Sequence, residues 1–462
     1  MKHRPPRRSA EALPTMNKPV VLFFARGYQS GFFPTLKSDR YEAIFVTLTK
    51  AERLRVEKLG GRVVGCFEED YDGLAVEAVT ADYLATSFMS DRFLGRYPYQ
   101  QRLEILGKEV AFWRAIFAEY APVAAVNELV AIEISEVLLI ECRNRGIRYL
   151  AGMDCLVEGN FYWLRNPLSL SGKYLPEVAP GEASLAEAQC YVQKLLASDY
   201  KPYYVRNLRK RRALLPLLVA VAKMLLWRLR ARLATSLGSF RYELYDDEYT
   251  KKVVVYFKSL FRRYDTLAGL PSGREVIFYP LHQEPEATLN YMSEFYSNQV
   301  ATIENILKCL NVDQVLVVKE HPVDTGSLLR RKFWDLRRQY SGLYYLPAEV
   351  HGREVVAVSQ RVVTLTSTLG WEAAVMGKKV YVLGQIFYDS FAGVTSVGDF
   401  NELKRELRSG LSGGTSALRR AEQFVASMKE QSYPGNPFPH ADLYSAANRH
   451  RVVSAIEHAL GL

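Results

Sequence analysis

Short apolar runs that read as buried strands alternate with charged or amphipathic stretches that read as helices, and the alternation occurs twice along the chain. PVVLFF (19–24) runs into a loop with Gly27 and Gly31, and YEAIFVTL (41–48) and GRVVGCF (61–67) repeat the strand signal. Residues 101–120 carry apolar positions at helical spacing, PVAAVNE (122–128) reads as a strand, 133–146 as a helix closed by Gly146, and IRYLAGM (147–153) as a further strand. Parallel strands need a crossover long enough to hold a helix, so this rhythm implies a parallel sheet covered on both faces.

The rhythm resumes in the second half. A charged helix is expected over roughly 243–265, then a strand at REVIFYPL (274–281), a helix at 293–310 and a strand in VDQVLVVKEHP (312–322). REVVAVSQRVVTLTST (353–368) holds a helix end and a strand, GWEAAVMG (370–377) a helix opened by glycine, and KKVYVLG (378–384) the following strand. The fold class expected is α/β, two Rossmann-like domains facing a cleft, with a C-terminal helix. The expected divisions are a flexible basic tail (1–16), an N-terminal domain (17–200), a basic apolar segment (201–240), a C-terminal domain (241–432) and a terminal helical tail (433–462). A chain of 462 residues exceeds what one core organises, which agrees with two domains.

With 48% hydrophobic and 24% charged residues the composition is that of an ordinary globular protein. The five cysteines (Cys66, Cys142, Cys155, Cys190, Cys309) are far apart and form no C-x-x-C, so neither structural zinc nor a disulfide framework is expected, and they read as small buried thiols. The first 15 residues are basic and lack the apolar core of a signal peptide, and Met16 is a candidate start. No run approaches the roughly 18 apolar residues of a membrane span. A cytoplasmic location is therefore expected.

The net charge of +10 calls for an anionic partner or surface, and its distribution is uneven. From Lys201 to Arg232 there are ten Lys and Arg and no acid, wrapped around ALLPLLVAVAKMLLW (213–227). Arg209, Arg212, Lys223 and Arg230 fall near one line of a helix, and Pro216 marks a kink or a start. Arg209, Lys210, Arg211, Arg212 and Trp227 are the expected contacts with an anionic membrane surface, and a core helix with a solvated basic rim is the competing reading. The basic residues interleave with Leu and Val and not with stacking aromatics, which argues against nucleic acid.

Three polar loops follow strands of the second domain. Lys319-Glu320-His321-Pro322 ends one strand, where the imidazole could bind a phosphate or ribose, protonate a leaving phosphate, or merely close the strand by pairing with Glu320. Thr366-Ser367-Thr368-Leu369-Gly370-Trp371-Glu372 joins a strand to a helix. Its hydroxyls and free N–H groups suit a phosphate, with Glu372 capping the helix or accepting ribose hydroxyls; the plainer reading is a Ser/Thr N-cap. Tyr279-Pro280-Leu281-His282-Gln283-Glu284-Pro285-Glu286-Ala287-Thr288 offers His282, Gln283, Glu284 and Glu286 for sugar recognition or as a catalytic carboxylate, or is a solvent-exposed connector.

Taken together, YPLHQEPEAT (279–288), VKEHP (318–322) and LTSTLGWEAAVMGKKVYVLG (365–384), followed by Tyr388, resemble the capsule polysaccharide biosynthesis family that includes the bacterial β-Kdo transferases. The resemblance covers roughly 270–400. It implies a GT-B fold, a nucleotide-sugar donor with CMP-Kdo first, and an acceptor growing on a lipid. It places the donor at His282, Gln283, Glu284, Lys319, His321, Pro322, Thr366, Ser367, Thr368, Gly370 and Glu372, with His321 and Glu286 as catalytic candidates. In the N-terminal half, Asn127-Glu128 and Glu158-Gly159-Asn160 are similar in placement to acceptor-side loops. Glu128 and Asp154 are catalytic candidates there only as acids at strand ends.

The leading expectation is therefore a glycosyltransferase of capsule or lipopolysaccharide assembly, peripheral at the inner face of the cytoplasmic membrane. No cofactor is expected, and no metal, because no D-x-D stands at a strand end. A polyol-phosphate transferase of teichoic-acid type and a non-catalytic assembly or export partner are the alternatives.

Overall fold

The computed structural model describes residues 18–80, 94, 97–175, 178–197, 263–284, 286–410 and 417–462, with 219, 221–226, 228 and 229. The expected contacts at Arg209, Lys210, Arg211, Arg212 and Trp227 lie outside the described residues, as does the expected helix at 243–265 except for its last three positions, which are irregular.

The first sheet contains β1 (Val20–Phe24), β2 (Glu42–Thr47), β3 (Val63–Cys66), β4 (Ala124–Asn127), β5 (Arg148–Asp154) and β6 (Asn160–Trp163). Its parallel part runs in the order β3-β2-β1-β4-β5, and β6 joins the β5 edge antiparallel. The second sheet contains β7 (Glu275–Pro280), β8 (Gln314–Lys319), β9 (Leu343–Leu346), β10 (Arg361–Thr364), β11 (Lys379–Val382) and β12 (Val394–Ser396), all parallel in the order β9-β8-β7-β10-β11-β12. In both sheets the first strand is central and the chain winds outward to each side. This is the doubly wound, Rossmann-like order, and it is the fold class the sequence implied.

Alternation along each strand divides the apolar residues between two layers. On β1, Leu22 and Phe24 enter a core with helix Tyr99–Tyr120 and helix Glu133–Asn144, where Phe24 meets the edge of Trp113 at 5.2 Å. Val21 and Phe23 enter the opposite core, with Phe32, Phe33 and helix Ala446–Leu460. In the second sheet Val276, Phe278, Val315 and Val317 face one way, and Ile277, Tyr279, Leu316 and Val318 the other. Near-continuous Val, Ile and Phe runs are what strands covered on both faces require.

The chain crosses between the sheets more than once. Helix Glu182–Leu196 follows the first sheet in sequence but packs on helix Ala417–Glu430, with Gly181 N–H donating to Glu430 at 2.7 Å. Conversely, β13 (Tyr433–Pro434) pairs antiparallel with β6, and helix Ala446–Leu460 covers the first sheet. The short strands β6, β9, β12 and β13, of two to four residues, are not among those expected from the sequence. Of the five cysteines four are buried as expected, and Cys190 is exposed on helix Glu182–Leu196.

At the amino end of β10, Arg361 is buried. It donates to Glu275 at 2.6 Å, to the Tyr381 hydroxyl at 3.0 Å, and to the carbonyls of Glu406 and Ser409 at 2.7 and 2.6 Å. Removing one partner of such a pair strands the other charge, so Arg361→Met should destabilise the fold by about 3 kcal/mol in urea unfolding. A loss below about 1 kcal/mol would show that the cluster is not a structural clamp.

Candidate functional site

In a doubly wound sheet the crevice opens beyond the carboxyl ends of the strands, where the winding direction reverses. In the second sheet that point lies between β7 and β10. The residues just past those strands meet there: the Thr366 backbone N–H donates to His282 Nε2 at 3.0 Å. The proton of the neutral imidazole is therefore on Nδ1, which is buried with no partner among the described residues. Burial, aided by the nearby His321, pushes the His282 pKa down to about 3. Gln299 holds the loop by its amide: its Oε1 accepts from His282 N–H at 2.7 Å, and its Nε2 donates to His282 O and to Glu284, each at 3.0 Å.

The loop after β8 is wound around a carboxylate. Glu320 is buried and accepts from the Tyr264 hydroxyl at 2.7 Å and from the Gly326 and Leu328 N–H groups at 2.8 and 2.9 Å. Gly326 has φ +86°, a conformation glycine adopts without a Cβ clash. Burial lifts the Glu320 pKa to about 7 against these donors. Lys319 is also buried. Its ammonium donates to Glu320 O at 2.9 Å, and burial lowers its pKa to about 8. Thus Lys319 shapes the turn, and Glu320 bonds to the loop backbone and Tyr264, with no bond to His321. His321 is half-buried and accepts the Val323 N–H at Nδ1 (3.2 Å), which leaves Nε2–H as its free donor. Burial and Lys319 hold its pKa near 4, so the imidazole is neutral at pH 7 and acts as a hydrogen-bond donor. Pro322 follows, half-buried in the same turn.

After β10 the three hydroxyls separate. Thr366 is buried and its hydroxyl has no partner among the described residues, Ser367 is the N-cap of helix Thr368–Val375 and accepts the Leu369 N–H at 3.2 Å, and Thr368 is exposed. The N-cap reading therefore holds for Ser367 alone. Gly370 answers a packing need: a Cβ there would stand 2.2 Å from the hydroxyl oxygen of Tyr388, which donates to Ser367 O. Glu372 does not cap this helix. It is the fifth helical residue, too deep for a capping acid, and lies buried with its Oε2 3.2 Å from Arg353 Nε. Burial lifts its pKa to about 7 despite that cation. Arg353 also donates to Leu195 O and to Ala197 O, the latter at 2.6 Å, and so ties this helix to the end of Glu182–Leu196.

In the loop after β7, Glu284 is engaged by Gln299, by Lys332 at 3.2 Å and by Arg330 at 3.6 Å, and Arg330 in turn binds both oxygens of Asp324 in the His321 loop. It acts as a tie between two loops. Gln283 is half-buried and makes no hydrogen bond among the described residues. Glu286 precedes the short helix Ala287–Asn290, and burial raises its carboxyl pKa although the Thr288 hydroxyl is bonded to it.

The first sheet reverses between β1 and β4. Arg26, just past β1, and Glu128, just past β4, form an ion pair there. Burial, together with the negative charges of Glu128 and Asp154, raises the pKa of Tyr28, so both acids lie close to that hydroxyl. Gln29 Oε1 and Asn127 Oδ1 are buried without partners and line a crevice of about 10 Å³, room for one water. Among the described residues no group of three or more His, Cys, Asp or Glu could hold a metal ion. Sequence reasoning missed Arg26, Gln29, Gln299 and Arg353, because only the strand order brings them to the strand ends.

The two histidines make the fold acid-sensitive. Their folded pKa values lie below the ordinary value of 6.5, so the unfolded chain binds more protons between about pH 6.5 and 3, and stability falls as pH falls through that window. For His282 the loss from pH 7 to 5 is about 2 kcal/mol. His282→Gln, which keeps an acceptor for Thr366, should flatten the pH dependence of unfolding by that amount; an unchanged slope would show that His282 is accessible to protons when folded.

Residues 242–414 match the family model described as capsule polysaccharide biosynthesis protein. No curated protein matches the chain. The chain is similar to the β-Kdo 2,7 transferase of Thermosulfurimonas dismutans KpsC, at 12% identity over 76% of this chain and 89% of that one, with a TM-score of 0.34. For the β-Kdo 2,4 transferase of the same KpsC the values are 14%, 72%, 87% and 0.32. For a UDP-GlcNAc 2-epimerase from Neisseria meningitidis, solved with UDP-GlcNAc, they are 10%, 96%, 100% and 0.31. Over residues 242–414 the chain is thus similar to the capsule polysaccharide biosynthesis family.

Proposed function

We propose that the chain is a glycosyltransferase that moves a sugar from a nucleotide donor, CMP-Kdo favoured, to a lipid-linked glycan acceptor of capsule or lipopolysaccharide. The observation that carries this reading is the meeting of His282 and Thr366 at the β7/β10 reversal, beside His321 with its free Nε2–H and the exposed Thr368 at a helix N-terminus. His321 Nε2–H, the Thr366 hydroxyl and the N-terminus of helix Thr368–Val375 are donors suited to the phosphate that leaves as the glycosidic bond forms. In that step the bond from the anomeric carbon to the phosphate oxygen breaks, and a bond from the same carbon to the acceptor oxygen forms. The acceptor proton passes to a carboxylate, for which Glu128, Asp154 and Glu286 are the candidates. Neutral His321 stabilises the departing phosphate by hydrogen bonding, and the reading needs no metal and no cofactor.

If this is right, CMP should raise the melting temperature, since a ligand at a hundred times its Kd adds about 2.7 kcal/mol. His321→Ala should lower turnover by about 10²-fold with the fold intact. A His321→Ala variant of normal activity would remove that residue from the site, and a protein indifferent to every nucleotide would favour a non-catalytic assembly partner.

The acceptor's lipid requires the enzyme to visit the inner face of the cytoplasmic membrane. The basic stretch 201–232 supplies cations worth about 1 kcal/mol each near anionic lipid. Val219, Leu225, Leu226 and Leu229 are exposed, which supports insertion at the headgroup boundary. Among the described residues no helix is long and apolar enough to cross a membrane. Sedimentation with anionic vesicles should show binding at low salt that weakens at high salt and on changing Arg209, Lys210, Arg211 and Arg212 to Ser. Equal binding by the quadruple variant, or none by either protein, would sink the membrane reading.

A further inference from the structure

We infer that a second carbohydrate subsite, selective for an anionic sugar unit, lies at the open edge of β6. It would hold a unit of the acceptor away from the reacting end, and in this it rests on the glycan-acceptor reading above.

β13 pairs only with Asn160 and Phe161, so from Tyr162 onward the edge of β6 has no partner strand among the described residues. Beside this edge opens a cavity of about 370 Å³, within the range of small-molecule sites. Its wall includes the aromatic residues Tyr162, Trp163, Tyr174 and Tyr433, with Gln431 and Arg165 among the polar groups. Flat rings with amide and hydroxyl groups between them match a pyranose, which offers C–H faces and a rim of hydroxyls.

The charge on this wall is one-sided. Among the described residues no Asp or Glu lines the cavity. Arg165 is exposed and forms no ion pair among the described residues. Lys173 is exposed too, has no acid partner there, and sits 5.0 Å over the Tyr174 ring. Among the described residues these two cations beside an aromatic wall have no acid partner, which favours a carboxylate-bearing sugar over a neutral one.

Trp163 connects the cavity to the chemistry. It lines this pocket and also the small crevice beside Asn127 and Glu128, so one indole separates the two. Its Nε1–H donates to Ala455 O at 3.3 Å, which fixes the ring between them. The loop that forms the far wall is anchored to the other half of the molecule, since Gly172 N–H donates to Ile386 O at 3.1 Å and to Asp389 at 2.9 Å. The cavity is thus walled by anchored segments and adjoins the acceptor side.

The test is calorimetric titration of the full chain with a glucuronate-containing disaccharide and, as neutral control, lactose. The acidic disaccharide should bind in preference to lactose, at least tenfold more weakly to Arg165→Gln and to Tyr174→Ala, and unchanged to His321→Ala. Both pocket variants should keep the CMP-induced rise in melting temperature, showing that fold and donor site are intact. The inference is overturned if wild type does not bind the acidic disaccharide, binds lactose as well, binds it equally after Arg165→Gln, or loses it with His321→Ala. Disaccharide binding without any response to CMP would leave this subsite standing and remove the donor reading instead.

Discussion

Two parallel sheets buried on both faces leave the chain little choice about where function can sit. Every strand of the second sheet is parallel to its neighbours, and its side chains are committed to one core or the other. Helices cover both faces, so the ends of the strands are the remaining places where polar groups from distant parts of the sequence can meet water and ligand. At the carboxyl ends the reversal of strand order prises two loops apart. His282 and Thr366 meet at that reversal in one sheet, and Arg26 and Glu128 meet at it in the other.

Much of the acidity around the strand-end loops of the second sheet serves geometry. Glu320 gathers a hydroxyl and two backbone N–H groups, Glu284 gathers an amide and two cations, and Glu372 faces Arg353. A buried carboxylate is costly unless its oxygens are occupied, and these three are placed where loop N–H groups or cations would otherwise lack partners. With those acids engaged, the polar groups left at these strand ends include donors: His321 Nε2–H and the N-terminus of helix Thr368–Val375.

The two halves are not strung end to end. Helix Glu182–Leu196 belongs by packing to the second half, and helix Ala446–Leu460 belongs to the first. Arg353 joins the carboxyl end of the former helix to Glu372 on the helix that carries Ser367 and Thr368. The strand-end loops of the second sheet are thereby linked mechanically to the segment that leaves the first sheet.

Local pattern determined a good deal. Apolar strand runs separated by helical periodicity specified two doubly wound sheets, because each signal is complete within ten or twenty residues. The motifs at 279–288, 318–322 and 365–384 marked the strand ends where a ligand would lie. What the sequence could not decide was the use of each polar side chain within those motifs. Lys319, Glu320, Glu284, Gly370 and Glu372 were all credible ligand groups by type, yet each is occupied inside the protein. Their partners (Tyr264, Gln299, Arg330, Arg353 and Tyr388) stand 15 to 56 residues away, where no local rule connects them. The same holds for Arg26 and Glu128, which are 102 residues apart and adjacent only because β1 lies beside β4. Propensity and period act over one element, whereas burial and pairing are settled by which elements come to lie side by side.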